Sequence, residues 1–189
     1  KFINDNYYFR KTYYNLFKKY LSDIIGSEIG IQRSISLSIK LPKDKSSTID
    51  IHSDTFAGQS PYQVVCWLPL CDVYKTKSMF ILDKKRSYHY TKKINDFEKK
   101  GFAESVIKKE KKLNFLKINY GEILIFSPNI LHGNIVNNET TTRWSMNCRF
   151  KNIYSPLNKN PSANESTYYY EEIGLKPASY LGLEYENLI

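Results

Sequence analysis

The spacing of apolar residues along the chain changes period several times. Phe9, Tyr13, Leu16, Phe17, Tyr20, Leu21 and Ile24 recur at three- and four-residue steps, which predicts an amphipathic helix over about residues 7–25. Gly26 is placed to end it. Period two follows. Ile31, Ile35, Leu37, Ile39 and Leu41 fall on one side, with Arg33 the exception, and Ser34, Ser36, Ser38 and Lys40 on the other. That pattern predicts a half-buried strand with its apolar side inward. Residues 48–54 read as a short strand running into a loop. Residues 62–70 read as a strongly apolar, central strand ended by Pro69. Further strands are expected at 78–82, 113–118, 123–126 and 143–150, with polar turns at 119–122 and 137–142. Residues 95–112 read as an amphipathic helix with Phe97, Phe102, Val106 and Ile107 inward, and His89 as a loop residue. The tyrosine-rich tail at about 158–189 has no clear period and is expected to be irregular.

Many strands and few helices, with no repeat and no linker, fit one domain over residues 1–189 whose core runs from about 30 to 152. The expected fold class is mainly β with flanking helices: a double-stranded β-helix, or jelly roll, of cupin-like form. Hydrophobic residues are 41% and charged residues 25% of the chain, an ordinary globular composition. No stretch approaches the roughly 18 apolar residues of a membrane span. The chain opens with Lys1 rather than methionine, and its first residues contain no apolar run of a signal-peptide kind. The three cysteines, Cys66, Cys71 and Cys148, are odd in number and form no C-x-x-C pair, which argues against a disulfide framework or structural zinc and for a reducing, cytoplasmic location. The net charge of +9 suits an anionic partner such as a phosphorylated or acidic small molecule, although solvated lysine accounts for much of it.

Candidate chemistry concentrates on two of the three histidines. His52-Ser53-Asp54 places an imidazole and a carboxylate at i and i+2, on one side of an extended chain. His132 lies in a similar context, beside an apolar strand and before a turn. Two histidines and one carboxylate on one face of an ion are the ligand set of non-haem iron(II) oxygenases. H-x-D alone is weak, because a chain with three histidines and 19 acidic residues meets H-x-[DE] about 0.3 times by chance. The second half strengthens the case. Arg143 follows His132 by 11 residues and opens an alternating strand in which Arg143, Ser145, Asn147 and Arg149 share one face. Such a row pointing into a barrel requires an anion, and a guanidinium grips a carboxylate with two parallel donors. Trp67 and Trp144 are expected in the core, and Cys66 and Cys148 as buried thiols with no base nearby.

H-x-D, a distant histidine and R-x-S about ten residues later resemble the iron(II)/2-oxoglutarate dioxygenases over roughly residues 30–150. The resemblance is to their phytanoyl-CoA-dioxygenase-like branch, particularly members from carbohydrate and antibiotic-sugar gene clusters. Ile39-Lys40-Leu41-Pro42, Trp67-Leu68-Pro69-Leu70 and Gly121-Glu122-Ile123-Leu124-Ile125-Phe126 carry it beside the motifs. The chain departs from many relatives at Thr76-Lys77-Ser78. The resemblance implies that His52, Asp54 and His132 hold Fe(II), that 2-oxoglutarate chelates the iron, and that O2 takes the last position. It implies that Arg143, supported by Ser145, pairs with the far carboxylate of 2-oxoglutarate. Gln63 and Ser78 are further candidates for co-substrate contact, and Arg149 for the co-substrate or an acidic substrate group. The implied activity is oxidation of a small molecule, in particular a sugar or nucleotide-sugar intermediate of polysaccharide or natural-product assembly. Two other readings compete. Arg143-x-Ser145-x-Asn147-x-Arg149 has the arginines, but not the middle residues, of the AlkB-type nucleic-acid dealkylating oxygenases. A non-catalytic jelly-roll module binding sugar or anion would have no reason to keep all four site residues.

Overall fold

The computed structural model describes residues 4–96, 101–110, 112–159 and 170–188. Helix α1 spans Tyr7–Ile25; the Asn6 side chain accepts from the Phe9 amide at its start, and Gly26, at φ 85°, ends it. The face it buries is Tyr13, Tyr14, Phe17 and Leu21. Leu16, Tyr20 and Ile24, expected on the inner stripe, are about half exposed. Tyr14 takes their place, so the buried stripe is narrower and rotated.

Two strands replace the single one expected at residues 31–41: β1 (Ile29–Gln32) and β2 (Ser36–Lys40). The facing of β2 is the reverse of the expectation. Leu37, Ile39 and Leu41 are exposed, while Lys40 is fully buried. Hydrophobicity set the expected direction, but the inner side of β2 meets polar partners: the Ser38 hydroxyl accepts from Arg143, and the Lys40 ammonium donates to Asn134 and to the Ile135 carbonyl. Strand β3 (Val64–Pro69) is buried along almost its whole length and ends at Pro69. The short strand β4 (Phe80–Ile81) precedes helix α2 (Lys84–Lys92), which Asp83 caps through the Arg86 amide. His89 therefore lies on a helix, exposed, and not in a loop. Helix α3 (Phe102–Lys109) buries Phe102 and Val106; Phe97 lies outside the described residues. Residues 113–118 form only isolated bridges, Phe115 with Phe80 and Ile118 with Val73.

Strands β5 (Leu124–Phe126), β6 (His132–Gly133) and β7 (Arg143–Asn152) follow. The tail is not irregular throughout: it contains strand β8 (Tyr170–Gly174) and helix α4 (Pro177–Glu186). Strand β8 buries Ile173 against α1 and adds an edge to the sheet; its short run, with one apolar residue inward, is too brief to register as a period.

The main sheet runs β5-β3-β7-β1-β8, with β2 also pairing with β7, and every pairing is antiparallel. Strand β7 is its axis, with β3 along one side and β1 and β2 in succession along the other. Alternation gives β7 two chemistries. Met146, Cys148 and Phe150 pack beneath α1 with Tyr13, Phe17, Val64 and Cys66. Arg143, Ser145, Asn147 and Arg149 face the opposite way, toward the small sheet of β4 and β6. Trp144 is 44% exposed, so it is not in the core. A second apolar cluster, of Ile51, Phe80, Leu82, Phe102, Val106 and Leu131, holds α2 and α3 under the small sheet. Cys66, Cys71 and Cys148 are all free thiols. No helix among the described residues is long and apolar enough to cross a membrane.

Candidate metal centre and anion pocket

The two histidines arrive on facing chain segments. His52 and His132 form an antiparallel bridge in which the N–H of each donates to the carbonyl of the other at 2.9 Å. Directly opposed residues point the same way, and the ring centroids are 4.4 Å apart. Each ring is oriented by the same local device. Nδ1 lies 2.8 Å from the carbonyl oxygen two residues back, Asp50 for His52 and Ile130 for His132. A carbonyl only accepts, so Nδ1 carries the hydrogen and both Nε2 lone pairs face the shared space.

Asp54 does not lie on a strand. It opens a short 3-10 turn, Asp54–Ala57, capped by Ser53. The Ser53 hydroxyl and the Asp54 amide both donate to the Pro128 carbonyl, which ties this turn to the segment leading to His132. The Asp54 carboxylate is buried and its Oδ1 lies 3.6 Å from His52 Nε2. Among the described residues, one donor atom each from His52, Asp54 and His132 lie within 4.8 Å of one another. Two neutral imidazole nitrogens and one carboxylate oxygen, open on the cavity side, form the donor set that suits a divalent non-haem iron.

Burial pulls His52 down, but the Asp54 carboxylate beside it and the hydrogen bond to the Asp50 carbonyl outweigh it and raise its pKa. Burial would raise Asp54, yet the neighbouring His52 imidazole and the charge and hydrogen bonds of Arg149 hold it well below the carboxylate range. Burial and the neighbouring His52 push His132 down to about 4. A deprotonated carboxylate and a neutral buried imidazole are the forms a metal requires.

The donors open into a cavity of about 170 Å³. One wall is the inner face of β7, Arg143, Ser145, Asn147 and Arg149; Val65, Trp67, Met79 and Phe126 supply apolar surface. Arg143 is only 3% exposed. Its Nη2 donates to the Ser38 hydroxyl at 3.1 Å, its Nε is buried without a partner, and it lies 5.8 Å from the centroid of the Trp67 ring. No carboxylate among the described residues pairs with it. Burial pushes its pKa down to about 10. The hydroxyl of Ser145 and Oδ1 of Asn147 are likewise buried without partners. Unsatisfied buried polar groups around an unpaired guanidinium form a site for an anion.

The structure thus brings His52, Asp54, His132, Arg143, Ser145 and Arg149 to one cavity. Gln63 and Ser78 are buried but do not line it. Gln63 bonds Gln59 and the Tyr170 hydroxyl. Ser78 lies next to Met79, which does line the cavity. Arg149 reaches Asp54 rather than the anion end. Trp67 is buried as expected and forms part of the wall. Sequence reasoning missed Ser38, Lys40 and Asn134. The Lys40 ammonium donates to Asn134 Oδ1 at 2.6 Å and to the Ile135 carbonyl. The Asn134 side chain also accepts from the Ile49 amide at 3.0 Å. The i+2 spacing of Asn134 from His132 was a usable signal. For Ser38 and Lys40 the alternation was visible but its direction was not.

No family's sequence model matches this chain, and no curated protein matches it. Solved structures do. A non-haem monooxygenase, ThoJ in complex with nickel, superposes with a TM-score of 0.59 at 14% identity, over 84% of this chain and 56% of that one. HygX from Streptomyces hygroscopicus, with nickel, 2-oxoglutarate and hygromycin B bound, gives 0.52 at 8% identity, over 72% and 61%. The non-haem α-ketoglutarate-dependent epimerase SnoN of nogalamycin biosynthesis gives 0.53 at 12% identity, over 88% and 68%. The chain therefore spans a little over half the length of ThoJ. At these identities the likeness is one of fold.

Proposed function

We propose that this chain is an Fe(II)- and 2-oxoglutarate-dependent oxygenase built on a double-stranded β-helix. The observation that carries the reading is one cavity holding both a two-histidine, one-carboxylate donor set and a buried arginine with no carboxylate partner among the described residues. Nε2 of His52, Nε2 of His132 and the Asp54 carboxylate would hold the iron. The Arg143 guanidinium, with Ser145 beside it, would take the far carboxylate of 2-oxoglutarate. When bound, the metal and co-substrate activate O2, converting 2-oxoglutarate to succinate and CO2 while a substrate C–H bond is oxidised. The protein's part is to orient and to exclude water. Nδ1 anchoring fixes both imidazoles, and Trp67, Val65, Met79 and Phe126 dry the cavity. A cavity of this size has room for a small dicarboxylate and little more, so the substrate would be met at its mouth, where the His52 side chain is 35% exposed.

The substrate class we favour is a sugar or nucleotide-sugar intermediate of polysaccharide or natural-product assembly. The motif resemblance supports it, as do fold neighbours that hold hygromycin B or belong to nogalamycin biosynthesis, and the +9 charge suits a phosphorylated substrate. The test is anaerobic. Iron(II) and 2-oxoglutarate added to metal-stripped protein should give a weak visible charge-transfer band that needs both components and vanishes in His132→Ala. A folded protein that gives no band would refute the oxygenase reading and favour a metal-free binding module.

A further inference from the structure

Arg149 was a candidate for holding the co-substrate, but its side chain is directed elsewhere. Nη2 donates to Asp54 Oδ1 at 2.9 Å and Nε to Oδ2 at 3.2 Å, a two-pronged grip on one carboxylate. The arginine is itself held from behind. The Oε1 of Gln32, a buried residue of β1, accepts from the Arg149 backbone amide at 3.2 Å and from Nη1 at 3.3 Å. Arg149 is six residues from Arg143 on β7, about 20 Å at roughly 3.3 Å per residue. Its guanidinium is committed to Asp54 at the metal end of the cavity, so it does not share with Arg143 the far carboxylate of a diacid.

We propose that Arg149 is a positioning residue for the metal ligand Asp54, with Gln32 as its anchor, and that it is not a co-substrate ligand. The inference rests on the metal-site reading above. Asp54 opens a short turn and has no strand neighbour to fix its side chain. A carboxylate has about four lone-pair sites; the grip uses one on each oxygen, leaving Oδ1 free to face His52 Nε2 and a common ion. Rotation of the carboxylate about its last bond, which would carry Oδ1 away from the histidines, is blocked because both oxygens are held. Outer partners of this kind orient ligands, and their loss typically weakens metal binding 10–100-fold.

The test separates geometry from charge. Arg149→Lys keeps the positive charge and removes the two-pronged grip. Nickel(II) is titrated calorimetrically into metal-stripped wild-type and variant protein without 2-oxoglutarate, and 2-oxoglutarate is then titrated into the nickel-saturated proteins. The expected result is nickel affinity weakened about tenfold or more, with 2-oxoglutarate affinity within about twofold of wild type. Gln32→Leu, which leaves Arg149 in place and removes its anchor, should weaken nickel binding in the same direction by less, and it serves if Arg149→Lys does not fold. Unchanged nickel affinity in the folded variants overturns the proposal. So does a loss of 2-oxoglutarate affinity with nickel binding intact, which would return Arg149 to the co-substrate. Wild-type protein that binds no nickel would instead overturn the metal-site reading itself, and this inference with it.

Discussion

Arg143 should destabilise the ligand-free protein, and replacing it should reveal how much. Its guanidinium is 3% exposed, holds one hydrogen bond, to Ser38, and leaves Nε unsatisfied. Burial takes its pKa from 12.5 to about 10, a penalty on the charged form of about 3 kcal/mol. The Trp67 ring, 5.8 Å away, returns about 1 kcal/mol through its quadrupole. Arg143→Met keeps most of the volume and removes the charge, so the ligand-free variant should be more stable by about 2 kcal/mol. For a chain of this size that is a rise in Tm of about 4–8 °C. The order should reverse with ligand. At 100 times Kd, 2-oxoglutarate with metal should stabilise the wild type by about 2.7 kcal/mol and leave the variant unmoved, because the paired donors are gone. The assay is thermal unfolding of both proteins, metal-loaded, with and without 2-oxoglutarate. A variant no more stable than wild type without ligand would mean that the buried guanidinium is already compensated, and the anion-pocket argument would fall.

Two further predictions concern residues around the site. Lys40 is buried beside Arg143, and its pKa is pushed down to about 8 by burial and by that neighbouring charge. The unfolded state then binds more protons between about pH 8 and 10.5, so stability from this group rises with pH across that window, by at most about 1.4 kcal/mol per pH unit. Urea unfolding of wild type and Lys40→Met across pH 7–10 checks it, since the difference cancels the tyrosines and cysteines that titrate in both; parallel pH profiles would refute it. A Cβ on Gly133 would lie 3.0 Å from the Ile49 carbonyl oxygen and 3.0 Å from Phe80 Cζ. Gly133→Ala should therefore cost about 1–3 kcal/mol and weaken metal binding by parting the His52 and His132 segments, whereas a variant neutral in urea unfolding and nickel titration would show that the segments yield.

The elements with a long, unbroken period were legible. Helix α1 lies where the three- and four-residue spacing placed it, and the two faces of β7 are divided as its alternation required. The short elements were not. Strands β4 and β6 have two residues each and β8 has five, and their pairing depends on partners far away in sequence. Helix α2, lysine-rich and nearly without apolar residues, shows no stripe; it is capped by Asp83 and held through Tyr90 and Ser87 against the small sheet.

What the sequence determined by itself was the inventory of the site: few histidines, one H-x-D, and an arginine row whose residues share a face because strand side chains alternate. These are local facts, fixed by covalent spacing. Three matters were decided only by tertiary structure. Which side of β2 faces inward depended on what lay opposite, and polar partners there, Arg143 for Ser38 and Asn134 for Lys40, drew these two in and left Leu37 and Ile39 exposed. The two arginines of β7 are equivalent in alternation, yet one meets Asp54 and the other meets no carboxylate among the described residues. Gln63 has the chemistry of a ligand contact but bonds Tyr170 instead. In each case the deciding quantity is the company a polar group finds when buried, because desolvation makes an unpaired charge costly and a paired one tolerable, and that company is assembled from residues distant along the chain.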